Sequence, residues 1–132
     1  MKVKDIMTRN VKTISPNATM EEAAQEMREN KIGCLVVVEG EKPIGIITER
    51  DLAYKIIAQG KSLETKVREV MSSDLKTIEK DANIKQAAKL MASHVIRRLP
   101  VVEKGKLIGI VTIDDIMRAE KIGEDRRSYQ YT

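Results

Sequence analysis

The chain has no phenylalanine and no tryptophan, and its 132 residues include only three tyrosines, one histidine, one cysteine and three prolines. With so few aromatics, the stacking platforms used by single-strand nucleic-acid binders are largely missing. A single cysteine, Cys34, cannot form an intramolecular disulfide, and His94 has no second histidine with which to build a metal-ligand set. No apolar run approaches the roughly 20 residues of a membrane-crossing helix, and the N-terminus lacks the basic, apolar and small-residue regions of a signal peptide. These absences predict a cytoplasmic chain with no membrane partner. Neither a G-x-S-x-G elbow nor a P-loop occurs, and Cys34 has no histidine beside it in sequence, so nothing equips the chain as an enzyme.

What is present is one-third charged and otherwise aliphatic, so the core must come from Ile, Val, Leu, Met and Ala. The net charge of +4 arises from basic residues interspersed with acids rather than gathered in a stripe, which leaves nucleic acid unsupported as a partner.

An internal repeat organises the chain. A shift of 64 places Val3 to Leu52 on Val67 to Ile116 without a gap, and about 20 of 50 positions are identical. GIITERDL at Gly45 thereby returns as GIVTIDDI at Gly109. Each copy carries a short strand (VKTI, LKTI) and then a capping signature, Thr19 with Glu22 and Asn83 with Gln86. Helical stripes follow at Met20, Ala23, Ala24 and Met27, and at Ile84, Ala87, Ala88 and Met91. Two apolar runs joined at Gly40 or Gly105 predict a hairpin, and a second helix is expected to bury Leu52, Ile56 and Ile57 in one copy and Ile116 and Met117 in the other. The division is therefore 1–58 for repeat one, 59–66 for a linker, 67–123 for repeat two and 124–132 for a polar tail without a helical or strand period. Units of this size bury too little core to stand alone, so the two should pack together.

Two β-α-β-β-α copies, each with an LVVV or LPVV strand followed by G-h-h-T-x-x-D, resemble a tandem pair of CBS domains, a Bateman module. The resemblance covers nearly the whole chain. It implies an α/β fold of two repeats related by a pseudo-two-fold axis and packed through their sheets. It also implies two clefts for adenine nucleotides (AMP, ADP or ATP) or S-adenosylmethionine, homodimerisation, and a regulated partner protein. The nucleotide would be a regulatory ligand, with no obligatory cofactor.

In one cleft the resemblance places Thr48 and Asp51 at ribose and phosphate, Arg97 and Arg98 opposite them, and Ile46 with Thr77 and Ile78 around the base, whose edge backbone groups would read. The other would use Thr112, Asp115, Ile110, Thr13 and Ile14. There Gly33 and Cys34 replace the arginines and Asp114 adds a negative charge, so one strong and one weak or empty site is expected. The spacing T-x-x-D is equally that of a capping box, and the two roles can share one turn. Adjacent arginines before a buried strand suit phosphate oxygens, though a solvated pair at a strand edge has the same sequence. Two other functions remain open: a dimerisation module with vestigial clefts, and nucleic-acid binding.

Overall fold

The computed structural model describes the backbone of residues 1–130 and the side chains of residues 1–121. The chain forms two compact units, one from Val11–Leu75 and one from Met1–Asn10 together with the chain from Lys76 onward.

In the first unit, β1 (Thr13–Ile14) leads to α1 (Met20–Asn30), then to the hairpin β2 (Cys34–Glu39) and β3 (Lys42–Thr48). A single turn, α2 (Glu49–Asp51), runs on as a π-helical segment over Leu52–Ile57, and α3 (Val67–Val70) closes the unit. The second unit repeats the plan with a 3-10 turn at Val3–Asp5, β4 (Ile78–Glu79), α4 (Ile84–His94), β5 (Arg98–Glu103), β6 (Lys106–Thr112) and α5 (Ile113–Gln130). Each sheet has three strands, with the first parallel to the second and the second antiparallel to the third. The hairpin registers shift at the same place, between Val37 and Val38 and between Val101 and Val102.

Local chemistry explains the helix ends. Thr19 Oγ1 accepts the Glu22 amide at 3.1 Å, and Gln86 Oε1 accepts the Asn83 amide at 2.8 Å, so both N-termini close as capping boxes. Both helices stop at a left-handed residue, Lys31 (φ 54°) and Val95 (φ 53°). Along α1, Met20, Ala23 and Met27 are buried; along α4, Ile84, Ala87 and Met91 are buried, as the stripe requires.

The following helices depart from expectation at one residue each. Ile56 and Ile116 are buried, but Ile57 is 73% exposed and Met117 is 59% exposed. Neighbours i and i+1 do not share a helix face, so once Ile56 and Ile116 turn inward the next residue turns out. A second departure is at the C-terminus, where α5 continues to Gln130 through most of the segment expected to lack a helical period. The side chains of 122–130, and residues 131–132 altogether, lie outside the described residues.

Segments 1–10 and 66–75 perform equivalent tasks. Val67 is fully buried in a core with Met20, Leu35, Ile47 and Ile56, whereas its repeat counterpart Val3 is fully buried with Leu99, Val101, Val111 and Ile116. Ser72 then exchanges both backbone hydrogen bonds with Ile46 (3.1 and 3.2 Å), and Thr8 does so with Ile110 (2.9 and 3.0 Å). The opening segment of each sequence repeat thus covers the sheet edge formed by the other repeat. Lys4 also pairs with Asp81 at 3.2 Å, and this contact holds the Asp81 carboxyl below its ordinary range. Among the described residues, no helix is long and apolar enough to cross a membrane.

Candidate functional site

Each unit ends its hairpin in a Thr-x-x-Asp turn. Thr48 caps α2: its hydroxyl accepts the Asp51 amide at 3.2 Å, while Asp51 Oδ2 accepts the Thr48 amide at 2.8 Å and the Thr48 hydroxyl at 3.0 Å. In the other unit the Thr112 hydroxyl accepts the Asp115 amide at 3.2 Å, and Asp115 Oδ2 accepts the Thr112 amide at 2.9 Å. The capping role is therefore real in both copies. It consumes one carboxylate oxygen and fixes where the second one points.

That second oxygen, Oδ1, meets a cation in each unit. Asp51 Oδ1 lies 3.1 Å from Lys55 Nζ, and Asp115 Oδ1 lies 2.6 Å from Arg118 Nη2. The sequence reading did not anticipate either cation, although D-x-x-x-K and D-x-x-R carry the helical spacings that bring such pairs together. Each carboxylate oxygen has two lone-pair directions, so an ion-paired Oδ1 can still accept from a ligand hydroxyl if the cation shares it or swings away.

The surroundings of the two turns differ in charge. Arg98 is in register with Thr112 across β5 and β6, and the Arg97 carbonyl accepts the Ile113 amide at 2.9 Å. Both arginines thus flank the Thr112–Asp115 turn within one unit, whereas Thr48 and Asp51 belong to the other unit. The equivalents of Arg97 and Arg98 beside Thr48 are Gly33 and Cys34: Cys34 is in register with Thr48, and the Gly33 carbonyl accepts the Glu49 amide at 3.0 Å. A Cβ added at Gly33 would sit 3.0 Å from Glu49 Oε1, so this glycine makes room for the Glu49 carboxylate at the position where the other unit has Arg97. Beside the Thr112–Asp115 turn stand Arg97 and Arg98, whereas the same two positions beside Thr48–Asp51 hold Gly33 and Cys34, and that turn carries Glu49 and Arg50 within itself. Asp114, the added negative charge, is exposed.

The residues expected around an adenine are dispersed between the units. Ile46 and Ile110 are half-buried, and their backbone groups are already paired with Ser72 and Thr8, which leaves their side chains rather than their backbones to meet a base. Ile78 is buried in its core and Thr77 is exposed. Thr13 and Ile14 line a recess of about 400 Å³ with Ser15, Glu22, Glu26 and Glu29, an acidic setting that opposes phosphate.

A capped Thr-x-x-Asp turn after the hairpin of each repeat is the arrangement of a paired CBS domain. The chain belongs to that family: the CBS domain matches residues 3–58 and again 67–122. It is 45% identical to the uncharacterized protein MK0525 of Methanopyrus kandleri over 97% of this chain and 69% of that protein. To the CBS domain-containing protein YhcV of Bacillus subtilis it is 44% identical, over 86% of this chain and 81% of that one. Among solved structures, the CBS domain pair of protein MJ0100, in complex with 5′-methylthioadenosine and S-adenosyl-L-methionine, superposes with a TM-score of 0.82 at 32% identity, covering 92% of this chain and 96% of that one.

Proposed function

We propose that this CBS pair is a regulatory module that binds an adenosine-containing ligand, with the Thr112–Asp115 turn holding ribose and the neighbouring arginines holding phosphate. The observation that carries this reading is the register of Arg98 against Thr112, because it sets a forked donor on β5 beside the residue at which Asp115, at the start of α5, is held as a preorganised carboxylate. Asp115 Oδ1 accepts from the ribose hydroxyls. The Thr112 hydroxyl, which already accepts the Asp115 amide, keeps its proton to donate. Half-buried Ile110 offers an apolar side chain to the base. The ligand bound by MJ0100 supports the adenosine half of the reading. The arginine pair favours AMP, ADP or ATP over S-adenosylmethionine, whose sulfonium and ammonium are repelled by guanidinium groups and whose one carboxylate carries less negative charge than a phosphate.

Binding then biases the packing of the repeats, and a partner protein reads the change. Exposed Tyr54, Ile57 and Met117 are available to a second copy of the chain, which favours a homodimer. If dimerisation were the whole function, these apolar residues would still be required and nucleotides would be inert.

A thermal-shift panel of AMP, ADP, ATP, S-adenosylmethionine and a short DNA duplex tests the reading. Stabilisation by a phosphorylated adenosine ligand that weakens ten- to a hundredfold in Asp115→Ala supports it, a loss of roughly 1.5 to 3 kcal/mol. Stabilisation by none of the adenosine compounds moves the assignment to a dimerisation module, and stabilisation by the duplex alone moves it to nucleic-acid binding.

A further inference from the structure

The two aspartates are equivalent in sequence, but the cations on their outward oxygens are not. Lys55 Nζ lies 3.1 Å from Asp51 Oδ1 and also donates to the Val70 carbonyl at 3.0 Å. Val70 is the last residue of α3, where an ammonium satisfies a carbonyl that the helix leaves free. Two residues later, Ser72 is paired in both directions with Ile46, and two residues after Ile46 stands Thr48, whose amide is held by Asp51. The bonds therefore close a ring: Asp51, Lys55, Val70, Ser72, Ile46, Thr48 and back to Asp51. Every link lies within one compact unit.

The other unit has the same ring with one link absent. Thr8 is paired with Ile110, and the Thr112 amide is held by Asp115, but the position equivalent to Lys55 is Ala119, which is buried and has no side-chain donor. Asp115 instead meets Arg118, one turn along its own helix and 70% exposed. An exposed guanidinium held by a single ion pair is readily displaced. An ammonium shared between a carboxylate and a backbone carbonyl must break both bonds to leave.

We infer that Lys55 is a positioning residue that converts Asp51 into a fold-holding carboxylate and keeps it from a ligand's ribose, leaving Asp115 as the ribose acceptor. The inference rests on the adenosine-binding reading for its ligand, but the clamp itself is a property of the unit. It assigns the duplicated turn two different tasks: one secures α3 and the segment after it, and the other binds.

Calorimetric titration of the full chain with 5′-methylthioadenosine tests this. The probe carries the ribose hydroxyls without a phosphate, so the charge of Glu49 does not obscure the result. The expected outcome is one site per chain in the wild type, two in Lys55→Met and in Lys55→Gln, one again in Lys55→Arg, and one in the Lys55→Met, Asp51→Ala double variant. In parallel, amide hydrogen exchange at Met71 and Ser72 should quicken roughly five- to tenfold in Lys55→Met. Two sites in the wild type, or one site in both Lys55→Met and Lys55→Gln, overturn the assignment. Absence of binding to all variants overturns the adenosine reading instead, and the exchange rates then judge the clamp alone: unchanged protection in Lys55→Met removes it.

Discussion

At Gly45 and Gly109 the absence of a side chain is a packing requirement. A Cβ built on Gly45 would lie 2.7 Å from Met71 Sδ and 2.9 Å from the Ser72 carbonyl; on Gly109 it would lie 2.6 Å from Met7 Sδ and 2.9 Å from the Thr8 carbonyl. The thioether can swing aside, but the carbonyl belongs to the backbone pairing that covers the sheet edge. Gly45→Ala and Gly109→Ala should therefore each lower stability by about 1 to 3 kcal/mol, read as a reduced urea midpoint at constant slope. Val95 is the opposite case, a β-branched residue in the left-handed region with 91% of its surface exposed. Its conformation costs roughly 1 to 2 kcal/mol that no burial offsets. Val95→Gly should raise the melting temperature, and an unchanged or lower value would mean that its side chain makes a stabilising contact not visible in a single chain. At this scale the sequence was informative about types of residue and poor at geometry. Thr48, Asp51, Thr112 and Asp115 were identifiable from spacing alone, because a capping box is local. Their cations, Lys55 and Arg118, were not picked out, because surface lysines and arginines are common and only coordinates select one.

Elements were more legible than contacts. Both capping boxes, both apolar stripes and both hairpins stand where the repeated pattern puts them, since helix periodicity and turn chemistry are short-range signals. The exceptions are equally physical. Ile57 and Met117 read as core because they are apolar neighbours of core residues, yet a helix turns each of them outward. The caps should matter in proportion to their bonds. Thr19→Ala removes an acceptor for the Glu22 amide and should cost about 0.5 to 2 kcal/mol, whereas Thr19→Ser should be close to neutral. Equal losses in the two variants, measured by chemical denaturation, would show that the threonine methyl rather than its hydroxyl does the stabilising.

Across the whole molecule, the repeat in the sequence and the unit in space are offset. Residues 1–10 begin the first repeat but supply Val3 to the core, and Thr8 to the sheet edge, of the unit that contains the second. Periodicity could not reveal this exchange, because both copies carry the same segment and either assignment satisfies the pattern. Deleting residues 1–10 should consequently destabilise the unit from Lys76 onward, leaving Ile110 without its backbone partner, while amides in Val11–Leu75 keep their hydrogen-exchange protection. Loss of protection confined to Val11–Leu75 would contradict the exchange. Acid should loosen the same segment modestly. Lys4 depresses the Asp81 pKa, so its contribution is present above the ordinary aspartate range and fades as the pH falls through the lowered value. Protection factors at Val3 and Lys4, taken relative to the intrinsic exchange rate at each pH, should fall on acidification below the ordinary aspartate range, and Asp81→Asn should abolish that change.

Arg97 and Arg98 stand beside only one of the two duplicated turns, and the pairing of Arg98 with Thr112 is the observation on which the proposed nucleotide site rests. The most direct measurement is an amide-resolved NMR titration of the full chain with AMP. The largest shifts are expected to centre on Arg97, Arg98 and Thr112 to Asp115, with the Thr48 to Asp51 amides moving little. Shifts centred on Thr48 to Asp51, or none at saturating nucleotide, would contradict the proposed site.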